Sequence, residues 1–184
     1  MVDLLTLQKQ FILMHLGEGD VAVDYTMGNG YDTEFLSKTV GPEGKVYAFD
    51  IQELALKNTA AHLKESGCSD NYRLIHASHH RAAEFVKEPV KAGMFNLGYM
   101  PGSGHKEVTT MRETTLPAVE TAISLLGKDA ILLIAVYPGH PEGEAEGLAL
   151  QEYLSTLSRF KMTVAKFQML NSPTSPYFMI VETK

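Results

Sequence analysis

The sequence predicts a single α/β domain over 1–184, with seven strands in a mostly parallel sheet, helices on both faces and an antiparallel hairpin at the C-terminal end. Three observations carry this. Short apolar runs alternate with helix-length segments along the chain, the pattern of successive βαβ units. Residues 169–176 alone separate the last two runs, too few for a helical crossover, so those runs pair as a hairpin. No linker, repeat or low-complexity run divides the 184 residues, a length that fits one domain with a substantial core.

The elements follow in order. Residues 1–16 are apolar in patches, but Asp3, Gln8, Lys9 and Gln10 interrupt them, so the segment reads as an amphipathic helix rather than a signal peptide or membrane span. Strands are expected at 21–24, 45–50, 72–76, 94–98, 130–137, 160–168 and 177–182, with helices at 31–40, 51–66, 79–87, 115–126 and 144–158. Leu56, Ala60 and Leu63 mark one apolar helix face and Val119, Ala122, Ile123 and Leu126 another. Thr115 is placed to cap the latter helix, with Pro117 tolerated in its first turn.

Hydrophobic residues make up 45% of the chain and charged residues 21%, an ordinary globular balance. The net charge of −6 argues against a protein that coats nucleic acid nonspecifically, while leaving room for a local basic face. Cys68 is the only cysteine, so there is no internal disulfide and no cysteine-based zinc site, and a reducing cytoplasm is the natural setting.

The segment 21–33 joins an apolar strand to a glycine turn and then to a helix, the junction at which α/β proteins hold nucleotide-like ligands. Gly28 and Gly30 permit positive φ and close approach of a ligand, and the helix after them offers unpaired N–H groups in its first turn. Thr33 stands where a dinucleotide fingerprint would have its third glycine, and the carboxylates of Asp24 and Asp32 would repel a pyrophosphate. A cationic cofactor fits better. S-adenosylmethionine carries a sulfonium, an α-ammonium and ribose hydroxyls, and Asp50, about 20 residues after Gly30 at the end of the second strand, is spaced to accept those hydroxyls. Thr26, Asn29 and Gln52 complete the cofactor set around these turns.

Three more clusters fall at the same edge of the expected sheet. Asn96-Leu97-Gly98-Tyr99 follows the fourth strand and keeps the first and last members of the Asx-Pro-Pro-aromatic motif of amine methyltransferases, without its prolines. An amide carbonyl there can aim a nitrogen lone pair, and an aromatic at the fourth place can stack on a base; a plain tight turn is the competing reading. Ser78 and His79 follow the third strand, where adenine is contacted in such folds, and adjacent histidines lack metal-ligand spacing, so no metal site is expected. Residues 137–143 follow the fifth strand and carry His140, a group able to take a proton near neutral pH, or else form only a rigid Pro-Gly-His-Pro turn. The lack of a cysteine at these strand ends disfavours carbon methylation of a pyrimidine through a covalent adduct.

With these residues in view, the chain resembles the small single-domain family of rRNA methylase-like proteins that includes the MnmM (YtqB-like) tRNA wobble-uridine methyltransferases. The most specific segments are Asp24-x-Thr26-x-Gly28-Asn29-Gly30-x-Asp32-Thr33, Ser78-His79, Asn96-Leu97-Gly98-Tyr99-x-Pro101-Gly102, Thr109-Thr110 with Glu113-Thr114-Thr115-Leu116, and Tyr137-x-Gly139-His140-x-Glu142-Gly143. Tyr25, Met27, Tyr31 and Ala77 depart from the family's common residues. The resemblance implies a Rossmann-like class I methyltransferase that moves methyl from S-adenosylmethionine to the aminomethyl nitrogen at C5 of uridine 34, with the tRNA anticodon arm as partner. Asn96 would orient the amine, Tyr99 pack the base and His140 or Asp32 assist proton loss. With no separate RNA-binding domain in the chain and no membrane partner, a homodimer is expected. An rRNA methyltransferase, an enzyme acting on a small amine, and a non-catalytic S-adenosylmethionine-binding module remain the alternatives; a basic strip beside the pocket, formed from among Lys106, Arg112, Lys161 and Lys166, would favour RNA.

Overall fold

The computed structural model describes residues 3–97, 112–138 and 141–184. The chain opens with α1 (Leu4–Leu13), capped by Asp3, whose carboxylate accepts from the Leu5 and Thr6 amides at 3.1 and 3.3 Å. A residue that interrupts the apolar pattern thus starts the helix. Next come β1 (Val21–Asp24), α2 (Tyr31–Val40), β2 (Lys45–Asp50), α3 (Glu53–Glu65) and β3 (Tyr72–His76). A 3-10 turn (His79–Arg81) leads into α4 (Ala82–Phe85), followed by β4 (Val90–Leu97), α5 (Arg112–Leu125), β5 (Leu126–Val136), α6 (Pro141–Ser155), β6 (Met162–Phe167) and β7 (Tyr177–Thr183).

The seven strands form one sheet in the order β3-β2-β1-β4-β5-β7-β6. Six run in the same direction, and β7 alone runs antiparallel, between β5 and β6, as the short 169–176 connection requires. Period-2 alternation sorts the strand side chains. Val23, Phe95, Leu132, Ile134 and Val181 pack under α4, α5 and α6, while Ala22, Val46, Met94, Leu133 and Ile180 pack under α1 and α2. Met27, Ala48 and Ala55 form a smaller cluster under α3. The chain builds outward from β1 to β3, then returns to lay β4 on the other side of β1. That reversal leaves a crevice at the carboxyl ends of β1 and β4.

Several boundaries differ from those the sequence suggests. β4 starts at Val90 rather than 94, because Val90 and Ala92 are fully buried and extend the run through the intervening Lys91. β5 starts at Leu126 rather than 130: Val90 pairs with Leu126, but Ala92 pairs with Ile131, and the surplus residues form an irregularity with Asp129 at φ +51°. Thr115 does not cap α5. The helix begins at Arg112, and the Thr115 hydroxyl, fully buried, donates to Glu146 of α6 at 2.5 Å, tying the two helices together. The expected helix over 79–87 is split into the 3-10 turn and the short α4.

Across β2, β1 and β4 the rings of Phe49, Tyr25 and Phe95 lie nearly parallel, Tyr25 to Phe95 at 4.3 Å and 5° and to Phe49 at 6.2 Å and 12°. Gly93 makes room for them, since a Cβ there would come within 2.9 Å of the Tyr25 ring. Tyr25 is 1% exposed and its hydroxyl has no hydrogen-bond partner among the described residues. A buried donor left unpaired costs about 1–3 kcal/mol. Tyr25→Phe keeps the stack and removes that cost, so the variant should gain about 1 kcal/mol in urea unfolding and melt roughly 2–4 °C higher. A loss of stability would show that the hydroxyl has a partner after all.

Candidate active site

The site grows from the end of β1. Asp24 is 1% exposed, its Oδ1 accepting from the Thr26 amide at 3.1 Å and its Oδ2 from the Thr33 hydroxyl at 2.6 Å. Thr33, itself fully buried in the first turn of α2, therefore spends its hydroxyl on holding this carboxylate. After Asp24 the chain turns through Met27–Gly30: the Gly30 amide donates to the Met27 carbonyl at 2.8 Å, and Gly28 and Gly30 take φ of +50° and +87°. Gly30 is doubly constrained, because a Cβ there would also lie 2.9 Å from Cγ2 of Thr59 on α3. Asn29, in the same turn, accepts from Asn58 Nδ2 at 3.0 Å, which fastens the turn to α3.

Asp50, at the end of β2, faces that turn. Its Oδ2 accepts from the Gly28 amide at 3.1 Å and its Oδ1 from the Gln52 amide at 2.9 Å, so Gln52 contributes its backbone here. On the other side, β4 brings Asn96 to the crevice. Its amide N–H donates to the Thr26 hydroxyl at 2.7 Å and its side-chain NH₂ to the Asp32 carboxylate in the first turn of α2. A carboxylate can only accept, so the Asn96 carbonyl must face away from Asp32. It points toward the Tyr137 hydroxyl, 3.4 Å away, a distance too long for a strong bond.

Burial pushes the carboxyl groups of Asp24, Asp32 and Asp50 up from the ordinary range. For Asp24 the neighbouring Asp32 and Asp50 add repulsion, while the bonds from Thr33 and Thr26 oppose it. For Asp32 the charge of Lys9 on α1 and the bond from Asn96 pull the other way. Three carboxyls around one crevice, each harder to ionise than in water, suit a ligand that arrives with positive charge. The sulfonium, ammonium and ribose hydroxyls of S-adenosylmethionine fit this donor set.

The structure thus brings together Asp24, Thr26, Gly28, Asn29, Gly30, Asp32, Thr33, Asp50, Gln52 and Asn96. His79 lies under the same edge: burial pushes its imidazole down to about 4, so it is neutral at pH 7, with Nδ1 donating to the Tyr25 carbonyl at 3.2 Å and Nε2 buried without a partner among the described residues. Ser78 Oγ lies 2.9 Å from His80 Nδ1. Tyr99 and His140, together with Gly98, Pro101, Gly102, Lys106, Thr109 and Thr110, lie outside the described residues. Among the described residues no group of three or more His, Cys, Asp or Glu side chains could hold a metal ion, and no helix is long and apolar enough to cross a membrane.

Two residues escaped sequence reasoning. Tyr137 belongs to a segment already notable for His140, yet its own hydroxyl reaches Asn96, because Asn96 pairs with Ala135 and the residue two further along β5's direction returns to the same face. Lys9 had no signal, since only the docking of α1 brings its charge to bear on Asp32.

The strand order, the antiparallel β7 and a glycine turn facing a strand-end acid together define a class I methyltransferase that uses S-adenosylmethionine. Comparison narrows this. The chain belongs to the family described as "Putative rRNA methylase", whose model matches residues 46–183. It is similar to a solved "putative rRNA-methylase" from Clostridium thermocellum, at 35% identity and TM-score 0.96 over 100% of this chain and 99% of that one. It is equally 35% identical to a "putative methyltransferase" of Streptococcus mutans solved in complex with SAH, at TM-score 0.90 with 100% and 99% covered. A third relative, the chloroplastic tRNA (mnm(5)s(2)U34)-methyltransferase of Arabidopsis thaliana, is 36% identical over 177 residues, which are 89% of this chain and 63% of that protein.

The raised Asp24 carboxyl sets a pH dependence of the ligand-free protein. The folded chain holds a proton that the unfolded chain has released, so this contribution to stability is complete below the ordinary carboxylate range and is lost as pH rises through the raised value. Asp24→Asn removes the charge; its oxygen still accepts from the Thr26 amide, and its NH₂ donates to the Thr33 hydroxyl, which turns to accept. The ligand-free variant should therefore melt about 3–6 °C above the native chain at pH 8, roughly 1–2 kcal/mol, with the difference shrinking toward pH 4. Parallel melting curves across that range would contradict the assignment.

Proposed function

We propose that this protein methylates the aminomethyl nitrogen of 5-aminomethyl-(2-thio)uridine at the wobble position of tRNA. The observation that carries the reading is Asn96, anchored by Thr26 and Asp32 so that its carbonyl faces away from Asp32, with only the long 3.4 Å contact from the Tyr137 hydroxyl on it. A nitrogen acceptor needs such a group, which takes an N–H bond and turns the lone pair toward the methyl carbon. The Arabidopsis relative's name supports the choice of acceptor.

In this reading Asp24, Gly28, Gly30, Asp32 and Asp50 hold the cofactor, with the exposed Ile51 beside the adenine and Ser78 and His79 at the same subsite. S-adenosylmethionine supplies an electrophilic methyl on a positive sulfur. The acceptor arrives as an ammonium; Asp32, whose carboxyl burial pushes up from the ordinary range, or His140 relieves it of one proton. Its lone pair then forms the new N–C bond while the C–S bond breaks and that electron pair stays on sulfur. Tyr99 packs the base. A homodimer in a reducing compartment would widen the surface for the anticodon arm. Free small amines are the second reading, favoured by the carboxylates that ring the crevice.

Two variants separate binding from transfer. Asp50→Ala should weaken S-adenosylmethionine binding by about 1–3 kcal/mol in calorimetry, because the ribose hydroxyls lose a charged acceptor and the Gly28 turn loses its tether. Asn96→Ala should leave that affinity within a few-fold and lower single-turnover methylation of tRNA bearing 5-aminomethyl-2-thiouridine by about 2–4 kcal/mol, roughly 30- to 1,000-fold. A folded Asn96→Ala enzyme working at the native rate removes Asn96 from transfer. Turnover of free amines with none of tRNA overturns the acceptor.

A further inference from the structure

The C-terminal strand pair carries a charge pattern unlike the rest of the chain. Residues 159–184 contain Arg159, Lys161, Lys166 and Lys184 against one acid, Glu182, in a protein whose net charge is −6. Glu182 is already engaged, lying 3.1 Å from His15 Nε2. All four cations are exposed, and among the described residues none lies in an ion pair, whereas Lys38, Lys45, Lys57, Arg81 and Lys91 each have a carboxylate within bridging distance. The other cations without ion pairs, such as Lys64 in α3, Lys87 after α4 and Lys128 in β5, are scattered over the chain.

The fold draws the four into a line. The Lys184 amide donates to the Lys161 carbonyl at 3.1 Å and its Nζ to the Arg159 carbonyl at 2.7 Å, so three of them meet at the start of β6. Lys166 stands at the other end, its Nζ 3.1 Å from Gln151 Oε1 and 4.1 Å from the centre of the Tyr177 ring. Tyr177 pairs with Val136, the last residue of β5, so this end of the line lies at the edge where the crevice opens. A six-residue strand spans about 20 Å. Between the two ends a groove of about 340 Å³ runs between β6 and α6 over Leu154, Met162, Val164 and Met179. Beside Arg159, the Phe160 ring is 79% exposed, with the guanidinium carbon 5.1 Å from its centre.

We propose that the β6 edge and this groove form a docking surface for an RNA strand. The inference rests on the tRNA reading above and names the surface by which that substrate is held. Cations gathered without counterions repel one another, and a polyanion laid along them relieves that repulsion while releasing its own counterions. An exposed aromatic ring flanked by a guanidinium is a stacking platform for a base, and the apolar groove floor accommodates sugars and base edges. A second copy of this chain fits poorly: β6 pairs only with β7, but joining two β6 edges would set like charges together. The surface also resolves a conflict. The crevice is ringed by carboxylates that repel RNA, so attraction has to come from elsewhere on the molecule.

The test is binding of a synthetic anticodon stem-loop RNA to the full chain by fluorescence anisotropy over a series of salt concentrations. The double variant Arg159→Glu/Lys161→Glu should bind at least 10-fold more weakly at low salt, with the slope of log affinity against log salt flatter by about 1–2, and the neutral pair Arg159→Gln/Lys161→Gln should fall between. Phe160→Ser should weaken binding several-fold without altering the salt slope. Melting temperature and S-adenosylmethionine affinity should stay at native values in all three. Native RNA affinity and slope in the double variant would overturn the docking surface, as would a double variant that self-associates while still binding RNA, since the cations then serve only to keep sheet edges apart. The two readings fail separately: RNA binding through the strip without methylation of the wobble nucleoside removes the acceptor assignment, and wobble methylation unaffected by the double variant removes the strip.

Discussion

The arrangement of the site depends on one buried carboxylate. Asp24 ends β1 at the point where the chain's two excursions diverge, and it is shut away from water with two hydrogen bonds to hold it. One comes from the Thr26 backbone and shapes the turn; the other comes from Thr33 and fixes the first turn of α2. Thr26 then has its hydroxyl free to accept from the Asn96 amide, which locks the end of β4 against the end of β1. Losing both of those hydrogen bonds would loosen the glycine turn, the helix entry and the β4 edge together, because each is bonded to a neighbour of the same group.

The crevice is built with a deficit of positive charge. Asp24, Asp32 and Asp50 are all harder to ionise than free carboxyls, and their bonds to amides and hydroxyls only partly offset burial. Such a site stores free energy that a cationic ligand recovers on binding, at a cost to the ligand-free fold. Asn96 is set differently. It is neutral, and its side-chain NH₂ is held by the Asp32 carboxylate, which fixes the direction of its carbonyl.

Charge is also segregated over the molecule. The overall −6 describes the average, but Asp24, Asp32 and Asp50 gather at the crevice, while cations without ion pairs among the described residues lie along the β6 edge. Under the proposed reading, an RNA held along its length and read at one nucleotide is served by that separation, since strong attraction inside the crevice would compete with the cofactor's own charge.

Much was legible in the chain because it is local. Alternating apolar runs, the glycine turn, the strand-end position of Asp50 and the short 169–176 connection determine seven strands, a parallel sheet and a hairpin, as each rests on residues near one another in sequence. Thr115 shows where that logic stops: its sequence neighbourhood suggests a cap, yet Glu146, 31 residues away, claims its hydroxyl. The long irregularity at the start of β5 was equally hidden, since a register shift depends on what the partner strand offers. Which partner each polar group finds was decided only by the packed sheet. Thr33 belongs to Asp24, Asn96 to Asp32 and Thr26, Tyr137 to Asn96, and Lys9 to the field around Asp32, because hydrogen bonds and charges act over a few ångströms in space whatever their separation along the chain.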